Sequence, residues 1–419
     1  MENNSLHSAS ERAMNMLGFE KLREEQEAPL QAILNGNDVI NIMPTGGGKS
    51  AVFQIPALCF APALTLVLSP LKALQADQVA MLQAKHIEAR LLNSSLSDAE
   101  RQQVFQDIRD HKVTLLYLAP EQLQNTETRA ELLAAEIRMV VLDEAHTMVN
   151  SFRKAYGQIG KFIEKLKRRP VIAAFTATAS NSARKKIVKK LNMQNPKIIT
   201  NPIRRSNLHL HIKCVKSKKD TAKQRLVKST LKEYWDGNGS VIIYCPTVGE
   251  VKKLHKWLKK QKWLEKHGWK VDEYHGKLDD KKREAALAGF LSGKVKIMVA
   301  TNAFGLGIDK PDVRLVIHAG LPLTIDGYVQ EIGRAGRDGE DSQCVLIYTP
   351  SEFSANKKIL SHGAKKKAAA YSIKRLEALK KLISSDKCLW KGIEKNFSEK
   401  PGKKCGKCCK CLQKKYKED

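Results

Sequence analysis

The sequence predicts an α/β protein built as two tandem parallel-sheet units followed by a small, helical, metal-binding module. Three observations carry that prediction. Short β-branched apolar runs alternate with helix-length stretches through residues 38–175, the alternation restarts over residues 241–348, and past residue 350 it gives way to basic helical sequence and clustered cysteines. At 419 residues the chain has room for two or three domains of about 150 residues, each long enough to bury a sizeable core.

The first set of runs is Asp38–Met43, Thr65–Ser69, Val113–Leu118, Met139–Leu142 and Val171–Phe175. Such short runs, bounded by Gly, Pro or charge, suit strands buried on both faces of a parallel sheet. Ser97–Arg109 is long enough for a crossover helix between them. Ala51–Leu68 is the most apolar long stretch, but Gln54, Pro56 and Pro62 make it a helix followed by a buried strand rather than a membrane span. The second set is Val241–Cys245, Val271–Tyr274, Lys296–Ala300, Leu315–His318 and Cys344–Tyr348, with Val251, Leu254, Trp257 and Leu258 on one face of a very basic helix. Pro202 interrupts the pattern near Asn201–Ser206, which places the units at residues 1–203 and 204–349 and the module at 350–419. Lys365–Ile383 reads as helix, and residues 351–419 carry 20 Lys and Arg against 7 Asp and Glu.

The composition, 42% hydrophobic and 28% charged with 14 Pro, excludes collagen-like, membrane-embedded and wholly disordered classes. Seventy-three Lys and Arg against 44 Asp and Glu leave a net charge of +29, which attracts polyanions, nucleic acid first among them. The separate basic stretches at Lys165–Arg169, Arg184–Lys190 and Lys252–Lys260 read as solvated helix faces. The N-terminus, MENNSLHSASERAM, has no apolar core of the kind a secretory signal needs, so Cys59, Cys214, Cys245 and Cys344 are expected to be reduced thiols of a cytoplasmic protein.

Two segments carry phosphate chemistry. DVINIMPTGGGKS (38–50) is a strand, a turn and a helix start: Thr45 leads into Gly46, Gly47 and Gly48, whose unobstructed N–H groups can wrap the phosphates of a nucleotide such as ATP. Lys49 would neutralise the β and γ phosphates and the Ser50 hydroxyl would ligate Mg²⁺; Met43 stands where the strict motif has glycine. VVLDEAH (140–146) ends a buried strand on two acids, Asp143 to help hold Mg²⁺ and Glu144 to orient the attacking water as base. A lone DEAH is weak, but a phosphate loop about 95 residues upstream strengthens it. A third segment suits a metal. Cys388, Cys405, Cys408 and Cys411 read C-x16-C-x2-C-x2-C, the spacing of a closed tetrahedral Zn²⁺ site that would fold a basic tail too small for a core of its own. Cys409, inside the loop, could compete as ligand.

These motifs resemble those of the RecQ family of DNA helicases, in helicase superfamily 2, from about Met16 to Cys411. LGFEKLREEQ (17–26) is similar to the family's adenine-reading motif, and implies that Phe19 stacks on the base, Arg23 flanks it and Gln26 hydrogen-bonds its edge. LSPLKALQADQ (68–78) and YLAPEQL (117–123) resemble strand-contacting motifs, and FTATAS (175–180) the motif that links hydrolysis to movement. VATNAFGLGIDKPDV (299–313) and YVQEIGRAGRDG (328–339) resemble the last two motifs of the second unit. The resemblance implies two RecA-like units, one supplying the phosphate cradle and the other arginines: Arg334 and Arg337 for the γ-phosphate, Asp309 for the ribose and Gln330 to help place the nucleotide. It also implies single-stranded and tailed duplex DNA as partners, 3′-to-5′ movement and access to chromosomal DNA. Trp235, Trp257, Trp263, Trp269 and Trp390 are candidates for base stacking, with Trp257 favoured as core.

Two departures shape the expected activity. The family's aromatic-rich loop after the DEAH box corresponds to TMVNSFRKAY (147–156), which keeps Phe152, Arg153 and Tyr156 but lacks a tryptophan, so coupling of DNA binding to hydrolysis is expected to be weaker or differently wired. The sequence also stops soon after Cys411, where many members continue into a winged-helix domain, so strand separation is expected to be poor, partner-dependent or made with another wedge. The sequence therefore predicts a DNA-dependent ATPase that unwinds duplex, the alternative being an ATP-gated DNA clamp, translocase or annealing factor.

Overall fold

The computed structural model describes residues 2–43, 47–70, 72–150, 154–177, 179, 181–216, 220–304, 310–362, 366–397 and 400–415. The chain separates into two compact units, Met1–Ile203 and Arg204–Asp419.

The first unit is built on seven strands: β1 (Val39–Ile42), β2 (Leu64–Leu68), β3 (Ala89–Leu92), β4 (Leu115–Leu118), β5 (Ile137–Leu142), β6 (Val171–Thr176) and β7 (Lys197–Thr200). All pair in parallel, in the order β3-β4-β2-β5-β6-β1-β7. Successive side chains of a strand point to opposite faces. Ile40, Leu66, Val140 and Ile172 accordingly enter one core with Phe105 and Ile187. Val39, Val67, Val141 and Ala173 enter another with Ile33, Val52 and Leu82. Helices therefore cover both faces, the arrangement parallel sheets require. The helix Asp98–Arg109 begins in a capping box: the Ser97 hydroxyl accepts the Glu100 N–H at 3.3 Å and Glu100 accepts the Ser97 N–H at 2.8 Å.

Asp38, just before β1, fastens this sheet at its other end. Its carboxylate is buried and accepts hydrogen bonds from Ile172 N at 3.0 Å, Gln194 N at 2.7 Å and Arg169 Nη1 at 3.1 Å. Asp38→Ala would leave the Ile172 and Gln194 N–H groups without their acceptor and remove the ion-pair partner of Arg169. It is expected to cost about 3 kcal/mol, read as a lower denaturation midpoint at unchanged m-value.

The second unit has six strands: β8 (Leu208–Cys214), β9 (Ser240–Tyr244), β10 (Val271–Tyr274), β11 (Ile297–Ala300), β12 (Val313–His318) and β13 (Ser342–Tyr348). They are parallel, in the order β10-β11-β9-β12-β13-β8. The helix Val248–Lys259 buries Val251, Leu254 and Leu258 against it.

The C-terminal helices Lys366–Ser384 and Leu389–Asn396 do not stand apart from this sheet. Leu379, Ile383, Leu389 and Ile393 close around an apolar gap with Ile212, Tyr328 and Leu346. Trp390 is buried and its Nε1 donates to Leu208 O at 3.3 Å. The basic tail thus completes its core by sharing that of the second sheet.

The same burial corrects the tryptophan expectation for Trp235 and Trp390. Trp235 is buried, its Nε1 donating to Asn238 O at 2.7 Å, and the Trp269 ring lies 4.4 Å from it and 6.0 Å from Trp263. Trp235 and Trp390, being buried, are not free for bases, whereas Trp257, Trp263 and Trp269 pack partly buried on the second unit's core. Among the described residues, no helix is long and apolar enough to cross a membrane.

Candidate nucleotide and metal sites

In open parallel sheets, ligand sites form beyond the carboxyl ends of the strands. In the first unit β6 lies between β1 and β5, with Ile42 paired to Thr176 and Leu142 to Ala174. The glycine loop after β1 and the acids after β5 therefore leave the same edge of the sheet. Gly47 and Gly48 close the loop, while Thr45 and Gly46 lie outside the described residues. Gly48 has φ +76°, and a Cβ there would lie 2.3 Å from Gln26 Nε2. Only glycine fits that turn. Lys49 and Ser50 open the helix Lys49–Cys59, whose first N–H groups and positive dipole end suit an anion.

Asp143 and Glu144 are held by backbone bonds to both neighbouring strands: Asp143 N donates to Leu68 O at 2.9 Å and Ala145 N to Phe175 O at 2.8 Å. Glu144 sits at φ +49°, a strained conformation for a side-chain-bearing residue that aims its carboxylate at the loop. Its Oε1 lies 3.2 Å from Lys49 Nζ and its Oε2 3.2 Å from His146 Nδ1. Burial raises the pKa of both carboxyls. For Glu144, Lys49 and His146 overrule it and hold the group well below the usual range; for Asp143, the Glu144 charge adds to it and the pKa is pushed up to about 6. A buried carboxyl made reluctant to ionise beside a second carboxylate and a serine-led helix is a donor set that fits a divalent cation.

The adenine-side candidates are placed less tightly. Gln26 is buried; its Nε2 donates to Gly48 O at 3.0 Å and its Oε1 accepts the Arg23 N–H at 2.8 Å. The amide thereby clips the helix Glu24–Leu34 to the phosphate loop, leaving one N–H and one lone pair for a base edge. Phe19 is half-buried under Lys85, and Arg23 is exposed. Of the loop after the DEAH box, Phe152 and Arg153 lie outside the described residues. Tyr156 is a core residue: it is buried, and the Thr147 hydroxyl donates to its oxygen at 2.9 Å.

In the second unit, Gln330 lies on the helix Ile325–Ile332 and the arginines on the turn after it; Asp309 lies outside the described residues. Arg334 is buried, and its Nε and Nη1 have no hydrogen-bond partner among the described residues. A buried guanidinium with unpaired N–H groups is costly, and those groups are able to take a further acceptor. Sequence reasoning missed what holds this turn. Arg205 Nη2 donates to Ala335 O at 3.3 Å and also to Gly336 O, and Asn207 Nδ2 donates to Gly336 O at 2.9 Å.

The four C-terminal cysteines converge, their sulfurs all within 4.8 Å of one another. Cys405 Sγ is 3.9 Å from Cys411 Sγ, and Cys408 Sγ is 4.0 Å from Cys388 Sγ. Four thiolates about 2.3 Å from a tetrahedral Zn²⁺ would be about 3.8 Å apart. Backbone N–H groups point at the sulfurs, Cys408 N at Cys405 Sγ (3.3 Å), Cys405 N at Cys388 Sγ (3.4 Å) and Leu389 N at Cys408 Sγ (3.5 Å), the kind of second shell that orients metal ligands. Cys409 falls outside the cluster.

Residues 23–187 match the DEAD/DEAH box helicase family model, and residues 222–339 match that of the helicase conserved C-terminal domain. Both units are thus of the class of ATP-driven helicases. The chain is 33% identical over 412 residues to the ATP-dependent DNA helicase RecQ of Bacillus subtilis (strain 168), covering 97% of this chain and 67% of that protein. It is 37% identical over 348 residues to RecQ of Synechocystis sp. (81% and 70% covered) and 34% identical over 400 residues to RecQ of Pasteurella multocida (95% and 61% covered). The chain belongs to the RecQ family of ATP-dependent DNA helicases, and it spans 61–70% of the length of these relatives. Solved structures share the fold alone: Mss116p bound to ssRNA and AMP-PNP (TM-score 0.70, 18% identity, 95% of this chain and 89% of that chain covered) and the DUF1998 helicase MrfA bound to DNA (TM-score 0.68, 20% identity, 81% and 50% covered).

Proposed function

We propose that this chain is a DNA-dependent ATPase that moves 3′-to-5′ along single-stranded DNA and unwinds tailed duplex in repair or recombination. The observation that carries the reading is the Lys49–Glu144 pair beside Asp143 at the edge where the phosphate loop also ends. With ATP bound, Lys49 exchanges Glu144 for phosphate oxygens, which frees that carboxylate to orient water and accept its proton as the Pγ–O bond to ADP breaks. Ser50 and Asp143 would hold Mg²⁺, which when bound neutralises charge on the β and γ phosphates. Arg334 and Arg337 stabilise the γ-phosphoryl charge in the transition state; Phe19, Arg23 and Gln26 serve the base, Asp309 the ribose and Gln330 nucleotide placement. Residues 1–203 and 204–349 act as the two motor domains, and Cys388, Cys405, Cys408 and Cys411 hold one structural Zn²⁺ in the segment 350–419.

The test is ATP hydrolysis with and without single-stranded DNA, beside unwinding of a 3′-tailed duplex, with Lys49→Ala as control. Stimulation and unwinding that both vanish in the variant are expected. Stimulated hydrolysis without unwinding would replace the helicase reading by that of a translocase or clamp. Hydrolysis indifferent to DNA would show that the loop at 147–156 does not couple.

A further inference from the structure

The turn that carries Arg334 and Arg337 is gripped from behind by residues that no sequence motif singles out. The helix before it ends at Ile332 with Gly333 as its cap, and two residues, Ala335 and Gly336, separate the arginines. Both of their carbonyls are capped. Arg205 spans them, bonding Ala335 O at 3.3 Å and also Gly336 O, while Asn207 Nδ2 bonds Gly336 O and Glu340 O at 2.9 Å each. Arg205 Nε in turn donates to Asn207 Oδ1 at 3.3 Å, so the two caps brace each other. From the sheet side, Gly336 N donates to Val313 O at 2.9 Å. Gly336 itself is at φ +55°, and a Cβ would meet Asn207 Nδ2 at 2.5 Å and Glu340 O at 2.6 Å. The backbone between the arginines is thus held by a segment about 130 residues earlier in the chain.

The two peptide planes that meet at a Cα fix where its Cα–Cβ bond points; the plane before Arg337 is held by the bonds to Gly336 O, and the plane after Arg334 by Ala335 N, which donates to Ile332 O at 3.0 Å. For groups that must meet a developing charge, misplacement by about 1 Å can cost about a hundredfold in rate. We infer that Arg205 and Asn207 are positioning residues for the arginine pair, acting on hydrolysis through the Ala335 and Gly336 carbonyls without touching the nucleotide. The inference rests on the reading above that Arg334 and Arg337 serve the γ-phosphate. Arg205 suits the task because its Nη2 bonds both carbonyls while its Nε holds Asn207, a fixed planar arrangement that the single ammonium of a lysine does not reproduce. Asn207→Asp is the near-isosteric counterpart: it turns a donor facing two carbonyls into an acceptor.

The experiment measures DNA-saturated kcat and KM for ATP, affinity for a non-hydrolysable ATP analogue, and thermal midpoint, on the full chain and on Arg205→Ala, Arg205→Lys, Asn207→Asp, Arg334→Ala and Arg337→Ala. Arg205→Ala and Asn207→Asp are expected to lower kcat by about 10- to 100-fold, with KM and analogue affinity within about threefold of the parent; Arg205→Lys recovers part of the loss. A kcat unchanged in Arg205→Ala and Asn207→Asp, while Arg334→Ala and Arg337→Ala are inactive, would overturn the positioning role and leave the arginines' role standing. So would a kcat loss that only tracks the unfolded fraction at the assay temperature. Full activity in Arg334→Ala and Arg337→Ala would instead remove the reading on which the inference rests.

Discussion

Lys49→Ala is expected to lower DNA-stimulated ATP hydrolysis by about 10²- to 10³-fold and to weaken ATP binding, whereas Glu144→Gln should abolish hydrolysis to a similar extent and leave binding intact. The difference follows from where the two side chains sit. Their side chains are only 12% and 15% exposed and lie 3.2 Å apart, so each is partly desolvated and each depends on the other's charge. Removing the lysine takes away the cation that bound nucleotide would claim, and leaves Glu144 and Asp143 as adjacent carboxylates with only His146 to compensate. Replacing Glu144 by glutamine removes the repulsion on Asp143 and keeps Lys49 available, so phosphate binding survives while the proton acceptor is lost. Titration with a fluorescent ATP analogue, set beside phosphate release, separates the two variants. Equal loss of binding in both would mean that the pair matters for folding the edge of the sheet rather than for dividing binding from chemistry.

How much of this was legible depended on whether local pattern and tertiary role agreed. Strands such as β2 and β5 are buried on both faces, so their apolar runs announce them. β3 was hidden because Arg90 lies inside its four residues, accommodated by an ion pair to Asp107 at 2.8 Å that no local rule supplies. β7 and β8 are edge strands: β7 is partly exposed along its length, and β8 alternates Leu with His, so neither presents a continuous apolar run. The phosphate loop, the acids and the four cysteines were legible because each group's chemistry is set by close spacing. The caps on Ala335 and Gly336 were not, since Arg205 and Asn207 are ordinary polar residues whose role exists only after the sheet brings β8 beside β13. Tyr156, Trp235 and Trp390 were ambiguous for the complementary reason: aromatic side chains serve cores and nucleic acids alike, and burial distinguishes them.

Loss of zinc is expected to have the largest effect on stability. A structural Zn²⁺ can contribute about 10–16 kcal/mol to folding where little else holds the chain. Here the helix Leu389–Asn396 keeps its grip on the second sheet through Trp390 and Ile393, and Arg204 Nη2 donates to Glu394 Oε2 at 3.0 Å. The loop beyond it is tied by polar contacts, Arg204 Nη1 to Lys403 O at 2.9 Å, Gly402 N to Glu394 Oε2 at 3.1 Å and Lys407 Nζ to Asp341 Oδ1 at 3.2 Å, but residues 400–407 are mostly exposed, and Cys408 is the one fully buried side chain among them and the cysteines that follow. Cys408→Ser, or chelation of the parent protein, is therefore expected to release the loop and cost about 4 kcal/mol. In a unit of this size that is a fall of roughly 8–16 °C in thermal midpoint. Metal analysis should give one zinc per chain in the parent and none in Cys408→Ser, while limited proteolysis opens new cuts between residues 398 and 415. Cys409→Ser is the discriminating control. Its sulfur lies outside the cluster, so zinc content should stay at one and the midpoint within about 2 °C of the parent. Zinc lost equally from both variants would mean that the metal is held by a different set of thiolates, and with it a different register of the C-terminal loop.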